Sequence, residues 1–203
     1  MPSLVGSEMC IRDRFNIYIN SLVKNLSGTN FHPPNLADRP PSTLLYADDV
    51  VLLSLTCVGL QRLLRALGNY CKTEELVINY DKSKVLVFTR KQITHKWQIN
   101  DHPIEQVKSY KYLGVIFQSS GSWKAQISNT IANAQRSIKS LIRFFFAKGG
   151  QHIPSATQVF NAKVLAQMLY GAQWCSYRNF IAMESTQMKF LSCLLYTSPS
   201  PRD

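Results

Sequence analysis

Acidic residues are scarce in this chain and nearly missing from its second half. From Val107 to Leu191 the single acid is Glu184, against ten Lys and Arg, a net of +9; from Phe15 to Gln106 ten basic residues face eight acids, a net of +2. The second half is strongly basic. It suits a polyanionic partner, nucleic acid first among them, because Lys and Arg displace counterions from phosphates; a merely solvated basic face is the plainer alternative. The five cysteines, at positions 10, 57, 71, 175 and 193, are odd in number and form no Cys-x-x-Cys pair. That speaks against a disulfide framework and a structural zinc site, and fits a reducing compartment. No apolar run approaches the ~18 to 20 residues that cross a bilayer, and no basic-then-apolar leader opens the chain. The expectation is an intracellular protein, in cytoplasm and/or nucleus, with no membrane partner. His32, His95, His102 and His152 have no His-Glu-x-x-His spacing, and no Gly-rich phosphate loop, nucleophile elbow or Ser/His/Asp order occurs. Internal repeats and low-complexity segments are missing too.

What is present is enough to fold. The 203 residues are 45% hydrophobic and 11% aromatic, sufficient to bury a sizeable core. The two ends look foreign to the rest. If Gly6 to Asp13 is encoded GGC-TCG-GAG-ATG-TGT-ATA-AGA-GAC, its reverse complement read two bases on gives Leu-Leu-Tyr-Thr-Ser-Pro-Ser, which is Leu194 to Ser200. Inverted copies of one DNA sequence read as translated sequencing-library adapter, so residues 1–14 and 193–203 are expected to be non-native and 15–192 to come from a longer protein.

Along that core, apolar residues at 15, 18, 19, 22, 23 and 26 predict a helix, and a Pro-rich loop follows from Phe31 to Pro41. Leu44 to Tyr46 and Val50 to Leu53, separated by Ala47-Asp48-Asp49, predict two buried strands around a tight turn. Leu60, Leu63, Leu64, Leu67 and Cys71 predict a helix capped by Thr56 and packed under that hairpin. Val85 to Thr89, Trp97 to Ile99, Ile104 to Val107 and Tyr110 to Phe117 predict a small antiparallel set with an Asn100-Asp101 turn. From Ser122 the pattern turns helical: Ile127, Ile131, Ala134, Ile138, Leu141, Ile142 and Phe145, ended by Gly149-Gly150. A second helix is expected after Pro154, with Ser155 and Gln158 as capping box and Val159, Leu165, Met168, Leu169 and Ala172 on one face, and a third over Phe180 to Leu191. The fold class is α+β, strands with helices and then an all-helical basic region, changing near Ser119 to Gly121.

Asp48 and Asp49 carry the clearest chemistry. Two adjacent carboxylates between buried strands repel one another unless a cation compensates them, and hard oxygen ligands suit Mg²⁺ (or Mn²⁺), the ion of two-metal phosphoryl transfer. On the turn alone, a hairpin with a solvated acidic tip reads equally well. Phe144, Phe145 and Phe146 read as core rather than as stacking groups.

The order of blocks adds to this. Phe15-Asn16-Ile17-Tyr18-Ile19-Asn20, Tyr46-Ala47-Asp48-Asp49, Leu76-Val77-Ile78-Asn79 with Lys82-Ser83-Lys84, and Tyr110-Lys111-Tyr112-Leu113-Gly114 resemble, in sequence order, the blocks of non-LTR (LINE-type) retrotransposon reverse transcriptases. Met168 to Trp174 is similar to a helical segment beyond the palm of those proteins. The resemblance implies a partial polymerase palm over 15–118 and a thumb-like helical region over 119–192. It makes Asp48 a ligand of the catalytic metals, Asp49 its support, and Tyr46 with Ala47 neighbours of the incoming nucleotide and primer end. It puts Lys82 near the pyrophosphate leaving group, where a solvated lysine after a helix is the alternative. Tyr112, Leu113 and Gly114 match the hairpin that grips the primer, although the residues alone read as a plain strand. Lys124, Arg136, Lys139, Arg143 and Lys148 would meet the phosphates of the duplex. The implied partners are an RNA template, a DNA primer and a dNTP.

The family's third carboxylate has no match here. Asp38, the only upstream acid of the core, lies in Leu-Ala-Asp-Arg-Pro-Pro, which is unlike the family's upstream motif. The expectation is that the parent protein polymerises DNA on RNA while this piece alone does not. A non-enzymatic nucleic-acid-binding remnant of a decayed or domesticated element is the alternative.

Overall fold

The computed structural model describes residues 5–27, 34, 43–89, 93, 95–147, 153–174 and 180–196. Two compact units share them: Met1–Val87 with Lys91–Val107, and Phe88–Arg90 with Lys108–Asp203.

In the first unit, helix α1 (Val5–Ser27) buries Ile19, Leu22 and Leu26, three members of the stripe read from the sequence, against helix α2 (Cys57–Thr73). Thr56 caps α2, its Oγ1 accepting from the Gly59 N–H at 3.1 Å. The helix ends where Glu75 takes a φ of +54° and the Leu76 N–H donates to the Cys71 carbonyl at 2.8 Å, a Schellman-type stop without the usual glycine. Burial pushes the Cys71 thiol above its ordinary pKa, so it stays protonated and unreactive in the core.

Strands β1 (Thr43–Tyr46) and β2 (Asp49–Leu52) form an antiparallel hairpin whose inner residues Leu45, Val50 and Leu52 pack on the α1–α2 core. The strands are only half buried, contrary to the expectation of two buried strands: Leu44 and Tyr46 alternate outward, as the two-residue period of a strand requires. Asp49 belongs to β2, which leaves Ala47 and Asp48 as the turn.

A three-stranded sheet completes this unit, in the order β3 (Lys84–Leu86), β5 (His102–Val107), β4 (Trp97–Ile99). β4 and β5 are antiparallel, but β3 runs parallel to β5, so the expected all-antiparallel set is corrected there. The Gln61 side chain of α2 both donates to the Gln98 carbonyl (2.8 Å) and accepts from its N–H (3.3 Å), pairing the outer edge of β4 as a strand would. Leu64, Val85, Trp97, Ile99 and Ile104 fill the space between sheet and helix.

The second unit starts with a hairpin, β6 (Ser109–Tyr112) and β7 (Val115–Gln118), where a single strand was expected over Tyr110 to Phe117. Helix α3 (Lys124–Ala147) follows, with the Ala125 N–H bound by the Gln118 side chain at 3.3 Å. The compact units thus divide at Val107/Lys108, earlier than the change from strand to helix near Ser119 to Gly121.

Helix α4 (Ile153–Val159) runs through a π-helical segment, Phe160–Leu165, into α5 (Ala166–Leu169). Ser155 falls in the first turn of α4, where the capping residue was expected. Of the expected face, Met168 and Ala172 are buried and Leu165 packs on the core, but Val159 and Leu169 are exposed, and Ala156, Phe160 and Val164 are buried with Met168. Residues four apart drift by about 40° per step on an α-helix, and the wider i→i+5 turn of a π segment removes much of that drift. The underwound segment is what keeps four such residues on one face. They pack with Ala134, Ile138 and Leu141 of α3 and with Met183 and Phe190 of α6 (Phe180–Tyr196), Phe160 stacking on Phe190 at 4.4 Å between ring centres. α6 extends past the Leu191 expected as its end. Phe145 packs on this core, but Phe144 is exposed, its ring edge-on to Phe145, which corrects the reading of Phe144 as core. The Pro-rich loop from Phe31 to Pro41, Gly149-Gly150 and the Phe146 side chain lie outside the described residues. No helix among the described residues is long and apolar enough to cross a membrane.

Candidate active site and nucleic-acid interface

Ala47 and Asp48 close the first hairpin in two residues, Tyr46 and Asp49 forming its last pair. Ala47 has a φ of +51°, a position that glycine fills most cheaply in a two-residue hairpin turn. Asp48 therefore stands at the tip, Asp49 one residue into β2, and Tyr46 opposite Asp49 at 62% exposure. Both aspartates are exposed. The sequence argument, that two carboxylates between buried strands need a compensating cation, loses its premise: water screens them at this tip.

A divalent ion can still use them, because adjacent carboxylate oxygens are the hard ligands Mg²⁺ and Mn²⁺ take. The set is partial. Among the described residues no group of three His, Cys, Asp or Glu side chains comes together. Asp38 lies outside the described residues. Lys82 is exposed on a separate turn of the same unit, where the Asn79 side chain accepts from its backbone N–H at 3.1 Å and the Ser83 N–H donates to the Asn79 carbonyl.

The remaining expected residues belong to the second unit. Tyr112 ends β6, and Leu113 and Gly114 form the hairpin turn, both with positive φ. Lys124, Arg136, Lys139 and Arg143 are exposed on α3; the last three, spaced i, i+3 and i+7, share one face, and Lys124 lies off it. Lys148 lies outside the described residues.

Sequence reasoning missed a cleft of about 340 Å³ in this unit, rimmed by Gly114 and lined by Gln126, Asn129, Asn133, Arg136, Gln167 and Tyr170 among others. Its lining holds amides, hydroxyls and one guanidinium but no carboxylate, so it favours hydroxyl-bearing or anionic ligands. Part of the lining is fixed by internal bonds: the Gln126 carbonyl oxygen accepts from the Ile116 N–H at 2.9 Å, Gln167 accepts from the Ser137 hydroxyl at 2.9 Å, and Arg136 donates to Asn133. One signal was available. Polar residues 126, 129, 130, 133 and 137 recur at helical spacing along one flank of the apolar stripe of α3.

The sequence model of the family described as reverse transcriptase (RNA-dependent DNA polymerase) matches residues 14–117. No curated protein matches the chain.

Proposed function

The chain belongs to the reverse transcriptase family, and on that premise we propose that it is a piece of a non-LTR retrotransposon polymerase whose tip aspartates serve nucleotidyl transfer in the parent protein. The observation that carries this reading is the exposed Asp48-Asp49 pair at the tip of a two-residue hairpin within the matched segment. Template, primer and nucleotide are the substrates such a family implies, and its members generally use divalent metal ions.

In this reading Asp48 is the ligand of Mg²⁺ or Mn²⁺ and Asp49 supports it; the ion, when bound, neutralises phosphate charge and activates the primer hydroxyl. Tyr46, exposed beside them, lines the approach of the nucleotide and primer end with Ala47. Lys82, on an exposed turn, serves the departing pyrophosphate as a proton donor or as a charge. Tyr112, Leu113 and Gly114 meet the primer strand. Arg136, Lys139 and Arg143, on one face of α3, hold duplex phosphates, and Lys124 and Lys148 add to the positive charge of this region. The polymerase works inside the cell, in cytoplasm and/or nucleus. Residues 15–118 are the partial palm and 119–192 the thumb-like region, while 1–14 and 193–203 derive from adapter DNA.

The partial ligand set leads to a paired expectation. The parent protein extends a DNA primer on an RNA template with Mg²⁺ and loses detectable extension in Asp48→Asn; the present chain alone extends nothing. The parent is obtained by reading the genomic locus outward from Phe15 and Leu191. An in-frame upstream strand bearing an aspartate supports the polymerase. A closed frame there leaves the nucleic-acid-binding remnant, and extension by the present chain alone refutes the proposal that it is inactive. Genomic DNA that encodes either end contiguously with the core refutes the adapter origin.

A further inference from the structure

The second hairpin turns through Leu113 at a φ of +45° and Gly114 at +82°. Two positive φ values are the type I′ geometry that suits the twist of a two-residue hairpin. Glycine adopts it freely. A leucine has no local reason to do so, because in the left-handed region its Cβ crowds the carbonyl that follows and its side chain offers no hydrogen bond in return.

Support comes from far along the chain. The Tyr170 hydroxyl donates to the Leu113 carbonyl oxygen at 2.6 Å. Its ring edge lies 3.2 Å from the place a Cβ on Gly114 would occupy. Tyr170 thus touches both residues of the turn. It is itself fixed: it follows α5, its N–H still donates to the Ala166 carbonyl at 3.2 Å, and the buried Gly171 at a φ of +75° turns the chain out of the helix. Just upstream, the π segment sets the rotational phase at which α5 delivers Tyr170 to the hairpin and Gln167 to Ser137.

We propose that Tyr170 is a positioning residue that holds the Leu113–Gly114 turn in the left-handed conformation in which the hairpin meets a nucleic-acid strand. This rests on the reading of that hairpin as primer-contacting. Backbone strain at a residue that gains nothing locally from it is the pattern expected where conformation serves a function. Gly114 and Tyr170 also border the amide-lined cleft, so a change in the turn reshapes the cleft as well.

Two measurements on the full chain test this: amide hydrogen exchange without nucleic acid, and affinity for a synthetic DNA primer annealed to an RNA template at fixed salt. In Tyr170→Phe, which keeps the ring, exchange around Gly114 and Val115 is expected to quicken by about three- to tenfold while α3 is unchanged, and duplex binding to weaken by about two- to tenfold. Adding Leu113→Asn, which accepts the left-handed region, should slow the turn's exchange again. Affinity regained along with it would show that the conformation of the turn, and not a contact made by the Tyr170 hydroxyl itself, carries the effect on binding. Unchanged exchange at the turn in Tyr170→Phe overturns the proposal, and so does quickened exchange with unchanged affinity. A wild-type chain without affinity for the duplex refutes the primer reading itself and the strand-holding half of the proposal, while the exchange comparison still decides whether Tyr170 holds the turn.

Discussion

The hairpin turn at Asn100-Asp101 and the one at Leu113-Gly114 have the same backbone sign pattern and reach it in different ways. Both residues of each have positive φ. Asparagine and aspartate tolerate that region, and Asn100 adds a side-chain bond from Nδ2 to the Gly68 carbonyl at 3.2 Å, which docks the turn on α2. Residue type, backbone and docking agree there, as in an ordinary structural turn. At Leu113 the residue type opposes the backbone, and a tyrosine from another element supplies the support. The Ala47-Asp48 turn resembles the latter: an alanine stands at positive φ where glycine is cheapest, and an exposed aspartate stands beside it. Disagreement between local preference and observed conformation marks the two turns that the proposed function uses.

Substitutions at these turns can break that comparison or sharpen it. The largest effect is expected from Gly68→Ala, whose new Cβ would lie 2.4 Å from Asn100 Oδ1 and force the docking apart. After the gain in helix propensity the first unit should lose about 1–2 kcal/mol, read as a lower urea midpoint for exchange in β4 and β5. An unchanged midpoint would mean that the docking contributes nothing. Asn100→Gly keeps the backbone free to turn and removes only the bond, so about 0.5–1.5 kcal/mol should be lost; a gain instead would make the asparagine, too, a residue at odds with its turn. Leu113→Asn should act in the opposite sense, stabilising the hairpin by about 0.5–1 kcal/mol as its short amide offsets the Cβ crowding with local hydrogen bonds. If it destabilises, the leucine side chain is packed usefully and the contrast between the turns weakens. The smallest change belongs to Ala47→Gly, where relief of strain is offset by the greater freedom of glycine when unfolded, for a net gain of a few tenths of a kcal/mol. A loss above about 0.5 kcal/mol would show that alanine suits that tip.

The parts legible from sequence were those where side-chain period and local chemistry coincide. α2 was readable because five apolar residues recur at helical spacing behind a threonine cap. The Asn100 turn was readable because its residues favour that conformation. The hairpin at Leu113 read as one strand for the converse reason, since no turn-forming pair except a single glycine interrupts Tyr110 to Phe117. The parallel pairing of β3 with β5 joins segments separated by a whole strand, and no local pattern encodes it. On the second long helix Val159 and Leu169 were misassigned to the apolar face because a uniform α period was applied across a stretch that is underwound. For the site, the order of blocks pointed to Asp48 and Asp49, but their exposure was not foreseen. Strand burial had been inferred from apolar content, but Leu44 and Tyr46 face outward and the rest are only partly buried. The cleft escaped notice because amides at helical spacing read as a solvated face unless the elements that cover them are known.

The π segment at Phe160–Leu165 makes this helix behave like a screw whose length sets where its far end points. Rewinding its six residues to a regular α-helix without losing one would turn everything beyond by about 100°. The buried face before the segment would stay seated, but Tyr170 would be carried off the hairpin. A one-residue deletion would offset that rewinding, so this stretch should tolerate such a loss better than a one-residue insertion.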